Sequence, residues 1–388
     1  MADKISRWFV PVVILISIIT FLINHFLVDV SVTGSLLRAI AVLVIACPCA
    51  MGLATPTALS AGTGRAAKSG ILIRSGQHLE TLSKISIMAF DKTGTLTKGK
   101  FTIDKIEFFQ NDKEEALKAF YMLELPTNHP LAKSIVSEIE KKFGKPEVLP
   151  FISIEEVKGA GITGKDISGN EWKSGSYRFV NPEMENIFDI YLSKNGKTVA
   201  AISMTDELNE QAEEVIRQLK SAGIKTVLIS GDKKEKCEAV AKQTGIDEVY
   251  SNRLPHEKAE LIQQLRKQGT VAMAGDGIND AGALAEADVS ISFSDASAIA
   301  MQSAHVILLR KHQLIDLLLA YQLSKSTIKT IKQNLFWAFF YNVLAFPVAA
   351  AGYLAPIVAS LSMAFSDVIV IGNSLLLRFV KSPEKTGR

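Results

Sequence analysis

The chain has 388 residues, enough for two or three domains that each bury a core. A formal net charge of +3 with 21% charged residues excludes the strongly basic balance of a nucleic-acid binder. Three cysteines, Cys47, Cys49 and Cys237, are too few for a disulfide framework and read as thiols kept reduced.

In chain order, residues 1–77 open with an apolar run from Trp8 to Leu27, preceded by Lys4 and Arg7. It has the roughly 20 residues that cross a bilayer and lacks the small-residue cleavage site of a signal peptide. A second run, Leu36 to Leu59, carries Cys47-Pro48-Cys49 at its middle. On an unbroken helix residues two apart point about 200° from each other. Pro48 removes a backbone hydrogen bond and unwinds the helix, so both thiolates and freed carbonyls can line one cavity. Soft sulfur favours Cu(I), Ag(I) or Zn(II) over alkali and alkaline-earth ions.

Residues 78–99 and 196–315 read as α/β. Apolar runs at Ile85–Phe90, Lys225–Ile229 and Thr270–Ala274 each end in a Gly- or Asp-rich turn, with helical patterns at Asn209–Ala222 and Lys233–Thr244. This alternation predicts a parallel, doubly wound sheet with its chemistry at the carboxyl ends of the strands. The first run enters Asp91-Lys92-Thr93-Gly94-Thr95-Leu96-Thr97, and the third enters Gly275-Asp276-Gly277-Ile278-Asn279-Asp280. A nucleophilic aspartate needs a strand tip to expose it, amides to hold phosphate oxygens and a cation to cancel charge repulsion. Two carboxylates at one spot raise a pKa unless a shared Mg²⁺ keeps both ionised. Residues 100–195 break the rhythm with strands, Gly-rich turns and one or two helices, and read as an α+β domain inserted into the first. Residues 316–388 hold two more apolar runs, Leu335–Tyr353 and Ala355–Leu377, the last with Asp367 inside. Arg65, Lys68, Arg74, Lys325, Lys329, Lys332, Arg378 and Lys381 gather on one side of the four runs. That places both termini and the middle in the cytoplasm. Arg38, near an outer end, is expected to snorkel to the interface.

Together these motifs resemble the P-type ATPases, within the haloacid-dehalogenase-like phosphotransferases. The resemblance implies a haloacid-dehalogenase-like phosphorylation domain with an inserted nucleotide-binding domain, plus α-helical transmembrane segments. It implies Asp91 as the phosphorylated residue, with the Thr93 carbonyl and Asp276 as Mg²⁺ ligands beside it. Ser230-Gly231-Asp232 resembles the family's TGD motif. Lys258 resembles the lysine that stabilises the pentavalent phosphoryl group, and Asn279 and Asp280 would orient Mg²⁺ and phosphate. In the insert, Glu124, His129-Pro130 and Gly159-Ala160-Gly161 resemble the ATP site of the heavy-metal branch, with Gly175 followed by Ser176 where the family usually has Gly-Asn.

Cys-Pro-Cys, Tyr341-Asn342 and Met363-x-x-Ser366 resemble the copper branch, so the transported ion is expected to be Cu⁺ or Ag⁺. Asp367 stands where that branch usually has a second serine, and the zinc and cadmium branch uses an aspartate there. That branch pairs it with a lysine in the helix before, and Leu335–Tyr353 contains none. The expectation is ATP-driven export of Cu(I) through an aspartyl phosphate by a multi-pass protein of the cell membrane. The alternatives are a Zn(II)/Cd(II) pump or a non-transporting remnant. No Thr-Gly-Glu of an actuator domain occurs, so the chain is expected to be truncated and not to complete the cycle alone. Its expected partners are the lipid bilayer, a metallochaperone and a separately encoded N-terminal half, with no nucleic acid.

Overall fold

The computed structural model describes residues 2–45, 49–127, 130–157, 159–182, 184–276, 280–293, 298–310, 313–354 and 356–381; at 2–10, 49, 130, 298–300, 341, 356, 359 and 362 only the backbone is described. These residues form two compact units, Met1–Asp91 with Gln211–Arg388, and Lys92–Glu210.

The first unit begins with three helices, α1 (Ala2–Phe26), α2 (Val32–Ile45) and α3 (Cys49–Lys68), followed by β1 (Ile71–Ile73), α4 (Gly76–Leu82) and β2 (Ile87–Asp91). The second unit holds β3 (Thr97–Phe108), α5 (Lys113–Glu124), α6 (Pro130–Phe143), β4 (Phe151–Val157), β5 (Gly161–Asp166), β6 (Glu171–Gly175), α7 (Tyr177–Val180), β7 (Ile190–Lys194) and β8 (Lys197–Leu208). The chain then returns to the first unit through α8 (Ala212–Ser221), β9 (Lys225–Ile229), α9 (Lys234–Thr244), β10 (Glu248–Tyr250), α10 (Pro255–Arg266), β11 (Val271–Ala274), α11 (Ala281–Glu286), β12 (Val289–Phe293), α12 (Ala298–Ser303), β13 (Val306–Leu308), α13 (Ile315–Ala350) and α14 (Pro356–Leu375).

In the first unit a seven-stranded sheet runs β1-β13-β12-β11-β2-β9-β10. All neighbours are parallel except β1 with β13. β2 and β11 lie at the centre and are buried along their length, as apolar strands covered on both faces must be. Helix α10 covers them with Leu261, Ile262 and Leu265 packed against Ile87, Ala89, Val271 and Met273.

The helices of this unit carry their apolar residues on two faces. Inward, Ala41, Val42 and Ile45 meet Ala349, and Ala50, Met51 and Ala54 meet Ala338 and Val370. Gly62 is required where α3 crosses α13, because a Cβ there would lie 2.2 Å from Thr327 Oγ1. Outward, Leu15, Ile18, Leu36, Phe336, Trp337, Leu361 and Phe365 stay exposed. Exposed apolar area of that extent marks an interaction surface, and for long helices a lipid one. Among the described residues one stretch, Val32–Lys68, of which 46–48 lie outside them, is long and apolar enough to cross a membrane; Pro11–Phe26 is a shorter apolar helix.

Two boundaries differ from the sequence reading. The third apolar run does not begin its own helix at Leu335, because α13 is continuous from Ile315 over 36 residues. Its first half buries Ser324, Thr327 and Thr330 between the exposed-side lysines, so hydropathy falls while helix persists. The second unit spans 92–210 where 100–195 was drawn, because β3 and β8 form one long antiparallel pair from Thr97↔Leu208 to Phe108↔Ala200. Its sheet is antiparallel throughout, in the order β3-β8-β7-β6-β5-β4. α5 and α6 pack on it through Phe120, Leu123, Ile135 and Ile139.

Candidate active site

The first unit brings three acidic groups and one ammonium together at the carboxyl end of its central strands. Asp91 is the last residue of β2 and is 5% exposed. Asp276 follows β11 by two residues, and Asp280 caps the start of α11. Lys258 projects from α10, buried, and its Nζ donates to Asp91 Oδ1 and to Asp280 Oδ1, both at 2.6 Å. Parallel pairing of β2 with β11 explains the meeting, since it places the ends of both strands on one edge.

The electrostatics follow from burial. Desolvation pushes the Asp91 carboxyl up to about 7, and the nearby Asp280 and Asp276 add to the rise against the opposing pull of Lys258. Burial by itself would lower the Lys258 ammonium, but Asp91 and Asp280 outweigh it and hold the group protonated. Three carboxylates against one ammonium leave an excess of negative charge at a buried spot. A hard divalent cation such as Mg²⁺ fits that donor set. Asp91 and Asp276 would hold it.

Ser230, Gly231 and Asp232 leave the end of β9, the other parallel neighbour of β2. Ser230 is buried and its Oγ accepts from the Asp232 amide at 3.1 Å, which folds the turn onto itself. Asn279 lies outside the described residues. Lys92 and Thr93 open the second unit directly after Asp91. There Gly94 adopts φ 71°, a left-handed turn that a side chain would strain, and Thr97 Oγ1 donates to the Lys92 carbonyl.

The second unit contains a cavity of about 250 Å³. Its wall includes Glu124, Gly159, Gly161 and Gly175, four of the five residues read as nucleotide-binding; His129, the fifth, lies outside the described residues. Gly161 faces Gly175 across β5 and β6, and a Cβ on it would lie 2.2 Å from the Ser174 carbonyl. Sequence reasoning missed Ser174 and Thr127. The Ser174 hydroxyl donates to Glu124 Oε1 at 2.5 Å, and that of Thr127 to Glu156 Oε2 at 3.0 Å. No local motif signals a pairing across 50 residues. The cavity wall carries Glu124, Glu156 and Asp189 and, among the described residues, no Lys or Arg.

Of the groups read as ligands for a transported ion, Asn342 is buried on α13, and Met363, Ser366 and Asp367 are half-buried on α14. Asp367 Oδ1 is buried without a hydrogen-bond partner among the described residues. Cys47 and the side chains of Cys49 and Tyr341 lie outside the described residues. A polar layer joins three of the helices. Asn334 Nδ2 donates to Ser374 Oγ at 2.9 Å, Asn373 Nδ2 to Asn334 Oδ1 at 2.7 Å, and Thr57 Oγ1 lies 3.2 Å from Ser374 Oγ. Arg38 does not extend away from the helices. It donates to Asn24 Oδ1, and Asn24 in turn donates to the Ala350 carbonyl at 3.0 Å.

A strand-end aspartate, a buried lysine from the covering helix and a second carboxylate after the neighbouring strand define a haloacid dehalogenase-like centre. The family model for haloacid dehalogenase-like hydrolases matches residues 85–288, and the chain belongs to that family. Within it the similarity is to heavy-metal P-type ATPases. The chain is 41% identical over 98% of its length to copper-transporting ATPase 1 of Rhizobium meliloti, and 38% identical over 100% to a probable copper-exporting P-type ATPase of Archaeoglobus fulgidus. It covers 48% and 50% of those proteins, so it spans about half the length of the curated relatives it matches. Among solved structures, a zinc-transporting PIB-type ATPase in the E2.Pi state aligns with a TM-score of 0.81 at 27% identity, over 97% of this chain and 63% of that one. The catalytic CPx-ATPase domain CopB-B aligns with a TM-score of 0.58 at 29% identity, over 67% of this chain and 98% of that one.

Proposed function

We propose that the chain is the phosphorylation and transport part of a pump that exports Cu(I), with ATP phosphorylating Asp91. The observation that carries this reading is the ion-paired Asp91–Lys258–Asp280 cluster at the tip of β2. Asp91 is shielded from water, so a phosphoryl group formed on it is protected from random hydrolysis. One carboxylate oxygen of Asp91 attacks the terminal phosphorus of ATP; the new O–P bond forms as the bond to ADP breaks, and ADP leaves with the electron pair. Lys258 balances the charge that builds on the transferring group, as a fixed cation does in phosphoryl transfer. Bound Mg²⁺ would supply the further positive charge that lets phosphate oxygens approach a carboxylate. Ser230, with its hydroxyl at the end of the adjacent strand, bonds a phosphoryl oxygen in this reading. Lys92, next to Asp91 in sequence, is the cation that offsets charge repulsion as phosphate approaches, and the Thr93 carbonyl, Gly231, Asp232 and Asn279 keep the roles that the resemblance implies.

In the second unit, the carboxylate-lined cavity takes the adenine base of ATP, with His129 and the glycines at Gly159, Gly161 and Gly175 around it. In the helices, Cys47 and Cys49 bind the transported ion together with Tyr341, Asn342, Met363 and Ser366. The names of the Rhizobium and Archaeoglobus relatives support copper. The second reading is Zn(II), favoured by the buried oxygen of Asp367 that has no partner among the described residues and by the zinc-transporting structural neighbour. We place the four helical spans α1, α2–α3, α13 and α14 in the cell membrane, with the sheets cytoplasmic. A metallochaperone that delivers the ion is the partner this reading proposes.

Acid-stable labelling from [γ-³²P]ATP, with Cu(I), Ag(I), Zn(II) or no metal, tests the proposal. Stimulation by Cu(I) and Ag(I) that Cys47→Ser and Cys49→Ser remove supports copper. Stimulation by Zn(II) alone, lost in Asp367→Asn, establishes the zinc reading, and equal labelling under all four conditions contradicts both.

A further inference from the structure

Ser174 has no part in the chemistry above, yet its hydroxyl is placed with care. It lies on β6 between Ile162 of β5 and Leu192 of β7, in register with both, and is fully buried. A serine hydroxyl between two apolar partners needs a hydrogen bond, and it donates to Glu124 Oε1 at 2.5 Å. Glu124 ends α5, is 6% exposed, and lines the cavity. Ser174 is its sole donor among the described residues. The other charged groups on the wall are Glu156 of β4 and Asp189 ahead of β7. Glu156 accepts from Thr127, and Asp189 accepts from the Met204 amide at 2.7 Å. With three carboxylates and no described cation, the wall suits the donor groups of a base and repels phosphates.

We propose that Ser174 is a positioning residue for base recognition: its hydroxyl fixes Glu124 as an acceptor at the cavity wall. The site then takes a purine with an amino group at the 6-position and rejects one with a carbonyl there. This rests on the reading of the cavity as the nucleotide site. One oxygen of Glu124 is occupied by Ser174, which leaves the other to accept from the ligand. Adenine offers a donor there. Guanine offers an oxygen that would face an oxygen, and an unpaired buried polar contact of that kind discriminates strongly. Burial, with Glu156 adding to it, pushes the Glu124 carboxyl above its ordinary value, and the Ser174 hydrogen bond limits that rise. Without Ser174 the carboxyl takes a proton more readily, and a protonated carboxyl can donate to the guanine oxygen.

The test is calorimetric binding of non-hydrolysable ATP and GTP analogues to the full chain in detergent, at pH 6 and pH 8. For Ser174→Ala we expect ATP-analogue affinity about tenfold below wild type at pH 6, a smaller gap at pH 8, and a reduced ATP:GTP ratio. Ser174→Thr, which keeps the hydroxyl, restores the pH profile. In a Glu124→Ala background Ser174→Ala adds nothing, because no acceptor remains to position. If wild type binds the ATP analogue selectively while Ser174→Ala changes neither the ratio nor the pH profile, the role of Ser174 is wrong and the nucleotide reading stands. A loss equal for both analogues and both pH values, with a lowered melting temperature, reduces Ser174 to packing and also overturns it. If wild type binds neither analogue, the nucleotide reading fails first and takes the proposal with it.

Discussion

Replacing Lys258 by methionine removes the only cation described in the Asp91–Asp280 cluster and keeps most of the apolar volume. Nζ makes two contacts of 2.6 Å, and the lysine is 4% exposed. Removing one partner of a buried ion pair costs about 3–5 kcal/mol, because a charge is left uncompensated. The abandoned carboxyl has an escape, which is to take a proton. Asp91 already sits at about 7 with the lysine in place, so it takes up a proton at little further cost; for the second aspartate that Lys258 pairs, protonation from the ordinary value of 3.8 costs about 4 kcal/mol at pH 7 and about 2 kcal/mol at pH 5, which caps the penalty at each pH. The variant should therefore lose about 3–4 kcal/mol of local stability at pH 7 without divalent cations, and only about 2 kcal/mol at pH 5. The sign follows from a raised folded-state carboxyl pKa: the folded variant binds a proton that the unfolded chain lacks, so its stability rises as pH falls. Native-state hydrogen exchange in peptides covering β2 and α10 reads this directly, and adding Asp280→Asn should recover part of the loss at pH 7. A penalty below about 0.5 kcal/mol, or one that does not change between pH 7 and pH 5, would refute the reasoning.

Three other perturbations test separate parts of the structure. Gly161→Val drives a side chain into the backbone of Ser174 and Gly175, so ATP-analogue affinity should fall at least about tenfold by calorimetry. His78 stacks on His305 with ring centroids 3.9 Å apart, and burial lowers both imidazoles, with Arg74 adding to each. Their contribution is present above the ordinary histidine value of 6.5 and lost as pH falls below it, because the unfolded chain takes protons first. Exchange of α4 and β13 amides should speed up from pH 7 to 5.5 relative to the rest of the sheet, and His78→Gln should remove the difference. Asn334→Leu breaks the contacts to Ser374 and Asn373 across α13 and α14. It should cost about 1 kcal/mol, measured as a shift in unfolding free energy in detergent.

What could be read in the sequence was what local chain chemistry specifies. Asp91 and Asp276 were legible because each follows a short apolar strand, and parallel pairing then fixes where such turns meet. Lys258 and Asp280 were legible as candidates, but their direct ion pair was not, since it depends on how α10 lies over β2. The length of α13 was hidden because hydropathy changes at Leu335 while helical hydrogen bonding continues from Ile315. The second unit's limits were hidden for a similar reason: the pairing of β3 with β8 joins residues about a hundred positions apart. Ser174 reads as an ordinary strand residue until the end of α5 is brought against it. Arg38 was expected at the interface, but the opposing Asn24 of α1 gives its guanidinium a partner among the helices.

Mass-spectrometric mapping of the phosphorylated residue, after a brief exposure to MgATP and an acid quench, tests the central claim most directly. The account predicts one hydroxylamine-labile phosphate on the peptide containing Asp91, absent in Asp91→Asn and present when a carboxylate of the sheet away from the cluster, such as Glu248 of β10, is neutralised without loss of fold. Phosphate recovered on a serine or threonine, or an undiminished yield in Asp91→Asn, would contradict it.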